Sequence, residues 1–174
     1  MQEGRAALAS LRTSTTQRND LADAFRRAAE NGHRPGAMEA VLSVVGDARE
    51  MHPIIRDEVY RIGFEAIRNA YTHSKASRLK VELRYAQDLT VRVSDNGIGM
   101  DPTTAQGKAG HFGLQGMRER AARIGGKFTL VSSNFGTEIT VIVPGRIVFR
   151  KPRTTPSEKI KSILRGMGPN SDSH

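Results

Sequence analysis

Cysteine and tryptophan are absent from the 174 residues, and aromatic side chains make up only 5%. Without cysteine there is neither a disulfide framework nor a thiolate metal site. No apolar run approaches the roughly 20 residues that a helix needs to cross a bilayer. The N-terminus also lacks the apolar core of a signal peptide. The expectation is a cytoplasmic chain with no membrane contact of its own, even if a full-length parent is membrane-anchored. Negative charge is scarce too: 18 Asp/Glu face 27 Lys/Arg, a formal net charge of +9. Such an excess raises nucleic acid as a partner, so its location matters. Between Arg146 and His174 stand seven Lys/Arg and two Asp/Glu, a net +5. From Arg150 onward this stretch has no aromatics interleaved with its charges on which bases could stack. It reads as a solvated basic tail, with one short helix between Ser157 and Leu164 and no specific nucleic-acid partner.

What is present is ordinary globular material. Hydrophobic residues at 37% and charged residues at 26% suit one domain with a normal core. Residues 1–18 are weakly patterned and are expected to be the remnant of an upstream linker or dimerisation helix. Asn19-Asp20 offers a cap, and Leu21, Ala24, Phe25, Ala28 and Ala29 fall at helical spacing up to a stop at Asn31-Gly32. Met38 to Val45 reads as a strand. From Ile54 to His73 the stripe Ile55, Val59, Ile62, Ala66, Ala70 predicts the longest helix. Alternation at Leu79, Val81, Leu83, Tyr85 and again at Leu89, Val91, Val93 predicts a hairpin turning at Ala86-Gln87-Asp88. Residues 95–110 form a loop. A helix from Gly113 to Ile124 ends at Gly125-Gly126, and Phe128, Leu130 with Ile139, Val141, Val143 make a second hairpin. The domain is expected to span residues 19–145, closing at Pro144-Gly145, with 146–174 as the tail. The implied fold is α+β: a two-layer sandwich with helices on one face of a mixed, mostly antiparallel sheet.

Three stretches could carry chemistry. Glu65, Asn69 and His73 stand at i, i+4, i+8 and so share one helix face. A carboxylate and an amide oxygen one turn apart can hold a hydrated Mg²⁺ against a phosphate, or Glu65 can deprotonate a nucleophile; an ordinary solvated face explains them as well. Asp95-Asn96-Gly97-Ile98-Gly99-Met100 follows a strand directly. Its carboxylate could accept a hydrogen bond from an exocyclic amine, and its glycines allow close approach; a plain Asp-Asn-Gly turn fits too. Gly110-His111-Phe112-Gly113-Leu114-Gln115-Gly116 opens a helix with the spacing G-x-x-G-x-x-G. That is neither the dinucleotide fingerprint nor a Walker A loop, and no βαβ unit is expected before it. A glycine-rich helix start can hold an anion, or it can simply be a flexible loop.

Taken in order, these stretches resemble the Bergerat-fold ATPases, which include gyrase B, the heat-shock 90 chaperones, MutL and the histidine kinases. Glu65-Ala66-Ile67-Arg68-Asn69-Ala70 resembles the N box, Asp95 to Gly99 the first glycine box and Gly110 to Gly116 the second. The runs RIGFEAIRNAYTHSKA and GHFGLQGMRERAARIGGKFTLVSSNFGTEITVIVP are similar to sensor kinases of the nitrate-sensor type. The resemblance covers about residues 20–145. It implies that ATP and Mg²⁺ are bound, Asn69 holding the metal, Glu65 assisting at the γ-phosphate and His73 lying near the phosphates. It implies that Asp95 reads the adenine amino group with Thr137 hydrogen-bonded nearby. Gly97, Gly99 and Met100 would border the base, and Gly110, His111, Phe112, Gly113, Leu114 and Gly116 the phosphates, with residues 101–112 as a lid. Where relatives often carry Lys before the last histidine of the N box, this chain has Thr72.

None of His33, His52, His73, His111 and His174 stands in a dimerisation-helix context. The phosphoacceptor histidine is therefore expected outside the chain, on a dimerisation segment, with a response regulator as the next partner and this chain a monomer. Two alternatives stay open: an anti-sigma-factor serine kinase, and a basic nucleic-acid-binding module with a degenerate ATP site.

Overall fold

A computed structural model describes residues 21–31, 38–100 and 112–150. In chain order these form α1 (Leu21–Asn31), β1 (Glu39–Val45), α2 (Pro53–His73), β2 (Arg78–Tyr85), β3 (Leu89–Asp95), α3 (Phe112–Arg123), β4 (Lys127–Ser133), β5 (Gly136–Val143) and α4 (Gly145–Val148). The cap at Asn19-Asp20, the remnant at 1–18 and the tail helix at Ser157–Leu164 lie outside the described residues.

The strands make one five-stranded sheet in the order β1-β2-β3-β5-β4. β1 runs parallel to β2, and every other neighbouring pair is antiparallel. The fold class is thus the expected mixed sheet in a two-layer α+β sandwich. Parallel β1 and β2 need a long crossover, and α2 supplies it. This β1–α2–β2 unit corrects the expectation that no βαβ unit precedes the glycine-rich helix start: period-2 alternation marks a strand but not its neighbour.

Period-2 patterning puts Leu79, Val81, Leu83 and Tyr85 on the covered face of β2, and Lys80, Glu82 and Arg84 on the open one. Across the covered face, Val81, Val93, Ile139 and Leu130 are register partners in one row, and Leu83, Val91, Val141 and Phe128 in the next. The helices lie on these rows. α2 buries Val59, Ile62, Gly63, Ala66, Ile67 and Ala70, a wider stripe than the five-residue one read from the sequence, with Ile55 only partly covered. At roughly 1.5–3 kcal/mol for each large aliphatic side chain buried, this face is what holds α2 to the sheet. Tyr71 ties α1 to α2 by donating its hydroxyl to the Ala29 carbonyl at 2.6 Å. On the other flank Glu58 receives Arg120 of α3 at 3.1 Å.

The packed structure does not stop at Pro144-Gly145. Val148 and Phe149 are in the core, Phe149 bridges Met51, and Arg49 stacks on the Phe149 ring. Residues 146–150 therefore belong to the domain. The apolar run Ile147-Val148-Phe149 between Arg146 and Arg150 was the available signal, obscured by the charge around it.

Candidate functional site

The end of β3 is where the sheet stops being apolar. One row beyond Val93 and Ile139, the register partners are Leu79 of β2, Asp95 of β3, Thr137 of β5 and Ser132 of β4. Alternation keeps these side chains on the helix-covered face, so three polar groups terminate a hydrophobic surface. The C-terminal turns of α2 lie over them. Asn69, His73 and Ala66 from the helix and Asp95, Thr137 and Ile139 from the sheet line one narrow cleft, with Gly99 and Met100 at its rim. The i, i+4 spacing of Asn69 and His73 is what aims both into it.

Asp95 is held as an acceptor. Its Oδ1 accepts the Gly97 N–H at 2.9 Å, and the Thr137 N–H also reaches the carboxylate. Burial nevertheless raises its pKa from the ordinary aspartate value, because those two hydrogen bonds offset only part of the desolvation. The loop after it is fastened at each step. Asn96 accepts the backbone N–H groups of Ser77 and Arg78 at 3.1 and 2.8 Å. Ile98 donates its backbone N–H to the Ser74 carbonyl at 2.8 Å, and Met100 donates its own to the Ser132 hydroxyl at 2.7 Å. A Cβ on Gly97 would stand 2.1 Å from that Ser74 carbonyl oxygen, and Gly99 has φ of +76°. The pattern D-x-G-x-G is thus read by this loop as close packing rather than as a loose turn.

A second groove runs between α2 and α3, lined by Tyr60, Phe64, Glu65, Arg68, Gly113 and Gly116 among others. Glu65 Oε1 receives Arg68 at 2.6 Å. The start of α3 presses on the same oxygen: a Cβ on Gly113 would lie 2.6 Å from it and 3.7 Å from Asn69 Nδ2. Hence Glu65, Asn69 and Gly113 meet where the two concavities adjoin. Thr72 turns its hydroxyl back to the Arg68 carbonyl at 2.8 Å, away from any role in either.

Of the residues singled out from the sequence, Asn69, His73, Asp95, Gly99, Met100 and Thr137 share the cleft, while Glu65, Gly113 and Gly116 share the groove. Gly97 packs on Ser74 beneath the loop. Leu114, expected beside the phosphates, is instead part of the core cluster, because its helical position faces the sheet. Gly110, His111 and the rest of residues 101–111 lie outside the described residues, and Phe112 is described only as the first residue of α3. Three contributors were missed: Ser74, Asn96 and Ser132. The hydrogen bonds that tie them to the loop span 18 to 32 residues, which no local spacing announces.

Residues 55–147 match the family model described as histidine kinase-, DNA gyrase B-, and HSP90-like ATPase. The chain belongs to this family. Among curated relatives of this ATPase domain, the sensor histidine kinase LiaS of Bacillus subtilis is 34% identical over 125 residues, covering 63% of this chain and 34% of LiaS. The sensor protein VraS of Staphylococcus haemolyticus is 41% identical over 92 residues, covering 52% of this chain and 26% of VraS. The chain therefore spans a quarter to a third of the length of these relatives. Among solved structures, full-length ShkA in complex with AMPPNP superposes with a TM-score of 0.62 at 16% identity, over 76% of this chain and 31% of ShkA. The histidine kinase AdeS of Acinetobacter baumannii gives 0.59 at 16% identity, over 71% of this chain and 62% of that one. Likeness at such identities establishes the shared fold.

Proposed function

We propose that this domain is the ATP-binding catalytic part of a two-component sensor histidine kinase. It would pass the γ-phosphoryl group of ATP to a histidine on a segment outside this chain, and thence to a response-regulator aspartate. The observation that carries the reading is the convergence of Asp95, Thr137, Asn69 and His73 on one cleft that adjoins a glycine-rich helix start. In this reading Asp95 accepts the adenine amino group at the closed end, with Gly97, Gly99 and Met100 bordering the base. The triphosphate leaves past Asn69 and His73 towards Gly113 and Gly116, where the N-terminal half of α3 favours negative charge.

The donor set suits Mg²⁺. Among the described residues no group of three or more His, Asp or Glu could hold a metal by itself. Asn69 with phosphate oxygens and water makes the sparse protein coordination that Mg²⁺ accepts. When bound, the ion neutralises phosphate charge. In this reading Glu65, one turn back and paired with Arg68, orients the attacking imidazole and takes its proton as the bond to the γ-phosphorus forms and ADP leaves.

The finer placement beside nitrate-sensor-type kinases rests on the two sequence runs around the N box and the second glycine box. The phosphoacceptor segment, the response regulator, a monomeric state for this chain and a cytoplasmic location belong to the same proposal. The anti-sigma-factor serine kinase remains the competing acceptor chemistry.

Calorimetric titration with a non-hydrolysable ATP analogue, with and without Mg²⁺, tests the binding half. Saturable binding strengthened by Mg²⁺ is expected, and none at millimolar nucleotide would reject the reading. Incubation with labelled ATP and a separate two-helix phosphoacceptor segment tests the transfer half. Acid-labile label on histidine is expected; acid-stable label on serine would move the assignment to the serine kinase.

A further inference from the structure

Ser132 plays no part in the sequence-derived site, yet it completes the polar row that closes the cleft. The register aligns Asp95, Thr137 and Ser132 across β3, β5 and β4. The hydroxyls of Ser132 and Thr137 are 3.1 Å apart, and the Met100 N–H donates to the same Ser132 oxygen at 2.7 Å. A hydroxyl has one proton and two lone pairs. With a lone pair of Ser132 taken by Met100, its proton has the Thr137 hydroxyl oxygen as a partner in line across the strands. Thr137 is 7% exposed and lines the cleft. Once its oxygen accepts from Ser132, its own proton turns towards the cleft.

We infer that Ser132 is a positioning residue for base recognition: it fixes the Thr137 hydroxyl as a donor into the cleft. The inference rests on the reading of this cleft as an adenine site. Asp95 then offers an acceptor and Thr137 a donor side by side. The adenine edge is the complement, an amino donor beside the N1 acceptor. Guanine and hypoxanthine carry the reverse, an oxygen acceptor beside an N1–H donor, and are turned away by both groups at once. The alternative proton arrangement, with Thr137 donating to Ser132, would present two acceptors and leave N1 unserved. Because the Ser132 oxygen also holds Met100, the base edge and the exit of the D-x-G-x-G loop are set by a single hydroxyl.

The test is a cycle of ligand and protein changes on the full chain, measuring dissociation constants for ADP and for 1-deaza-ADP, in which N1 is replaced by C–H. Wild type should prefer ADP by about tenfold, the value of one neutral hydrogen bond at the upper end of its range. Ser132→Ala should weaken ADP by about five- to tenfold and leave 1-deaza-ADP almost unchanged, so that the preference collapses. Ser132→Thr, which keeps the hydroxyl, should restore it. Retained 1-deaza-ADP affinity also reports that the alanine variant is folded. Equal loss for both ligands would show that Ser132 merely holds the loop and would overturn the inference, as would no loss for either. If wild type bound ADP with no such coupling, only this inference would fall; if wild type bound neither ligand, the adenine reading would fall with it.

Discussion

The two ends of the concave surface are built on opposite terms. At the base end, between α2 and the polar row of the sheet, backbone and side-chain hydrogen bonds pin every step from Asp95 to Met100, and glycine stands where a side chain has no room. At the other end, between α2 and α3, a Cβ on Gly116 would meet nothing within 4 Å, and Arg68 keeps 61% of its side chain exposed while paired to Glu65 across one helical turn. The difference follows from the forces each end would use. Hydrogen bonds to a base edge decay over tenths of an ångström and fail if the partners are misaligned. Attraction between cations and phosphates falls off slowly with distance, so mobile exposed side chains suffice.

Alanine substitutions offer the sharpest way to break this comparison. Gly97→Ala drives a methyl to 2.1 Å from the Ser74 carbonyl oxygen and should cost about 3 kcal/mol of stability or more. Gly116→Ala, inside α3 with open space, should cost nothing and gain up to about 1 kcal/mol from helix propensity. Thermal denaturation of both variants compares them directly, and similar melting temperatures would erase the distinction between a packed and an open end.

Next in size is Asp95→Asn, which replaces an acceptor with an amide and should weaken nucleotide binding by about 100-fold or more with the fold intact. Unchanged affinity would remove Asp95 from the base-reading role. Asn69→Ala sits between the two ends, and it should reduce Mg²⁺-dependent affinity by about tenfold while affecting metal-free binding much less. Equal losses in the two conditions would place Asn69 with the base instead.

The smallest effect is on pH dependence. The pKa of Asp95 is raised in the fold by burial, so its contribution to stability is fully present below the ordinary carboxylate pKa and is lost as pH rises through the raised folded value. Nucleotide binding has the opposite slope, because only the charged carboxylate is acceptor-only: affinity should drop on acidification at a pH above that of an ordinary aspartate. Denaturation of wild type and Asp95→Asn across pH 3–7 (an order-of-magnitude window around the reference carboxylate range) should show their stabilities diverging as pH rises. Parallel curves would mean that Asp95 titrates as an exposed carboxylate does.

Much of this was legible in the chain. The long helix read from Ile54 to His73 forms as Pro53–His73, and the hairpin alternation from Leu79 to Val93 forms as β2 and β3. Both signals are local periodicities that survive because each element buries a single face. Asp95, Asn69 and His73 were legible as a helix face and a strand end, since their neighbours in space are set by one helical repeat and one alternation. Ser74, Asn96 and Ser132 were not. A lone Ser or Asn near the end of a helix or strand is commonplace, and what gives each a role is a partner supplied from elsewhere in the chain.

Sequence by itself determined the five strands and the three longer helices, because those follow from spacing within a few residues. Only the tertiary structure decided that β1 lies parallel to β2 across the α2 crossover, that Phe149 returns to the core beside Met51, and that Asp95, Thr137 and Ser132 fall in one row under Asn69 and His73. Strand order and register are settled by the summed packing of the covered face, a quantity that no single segment carries.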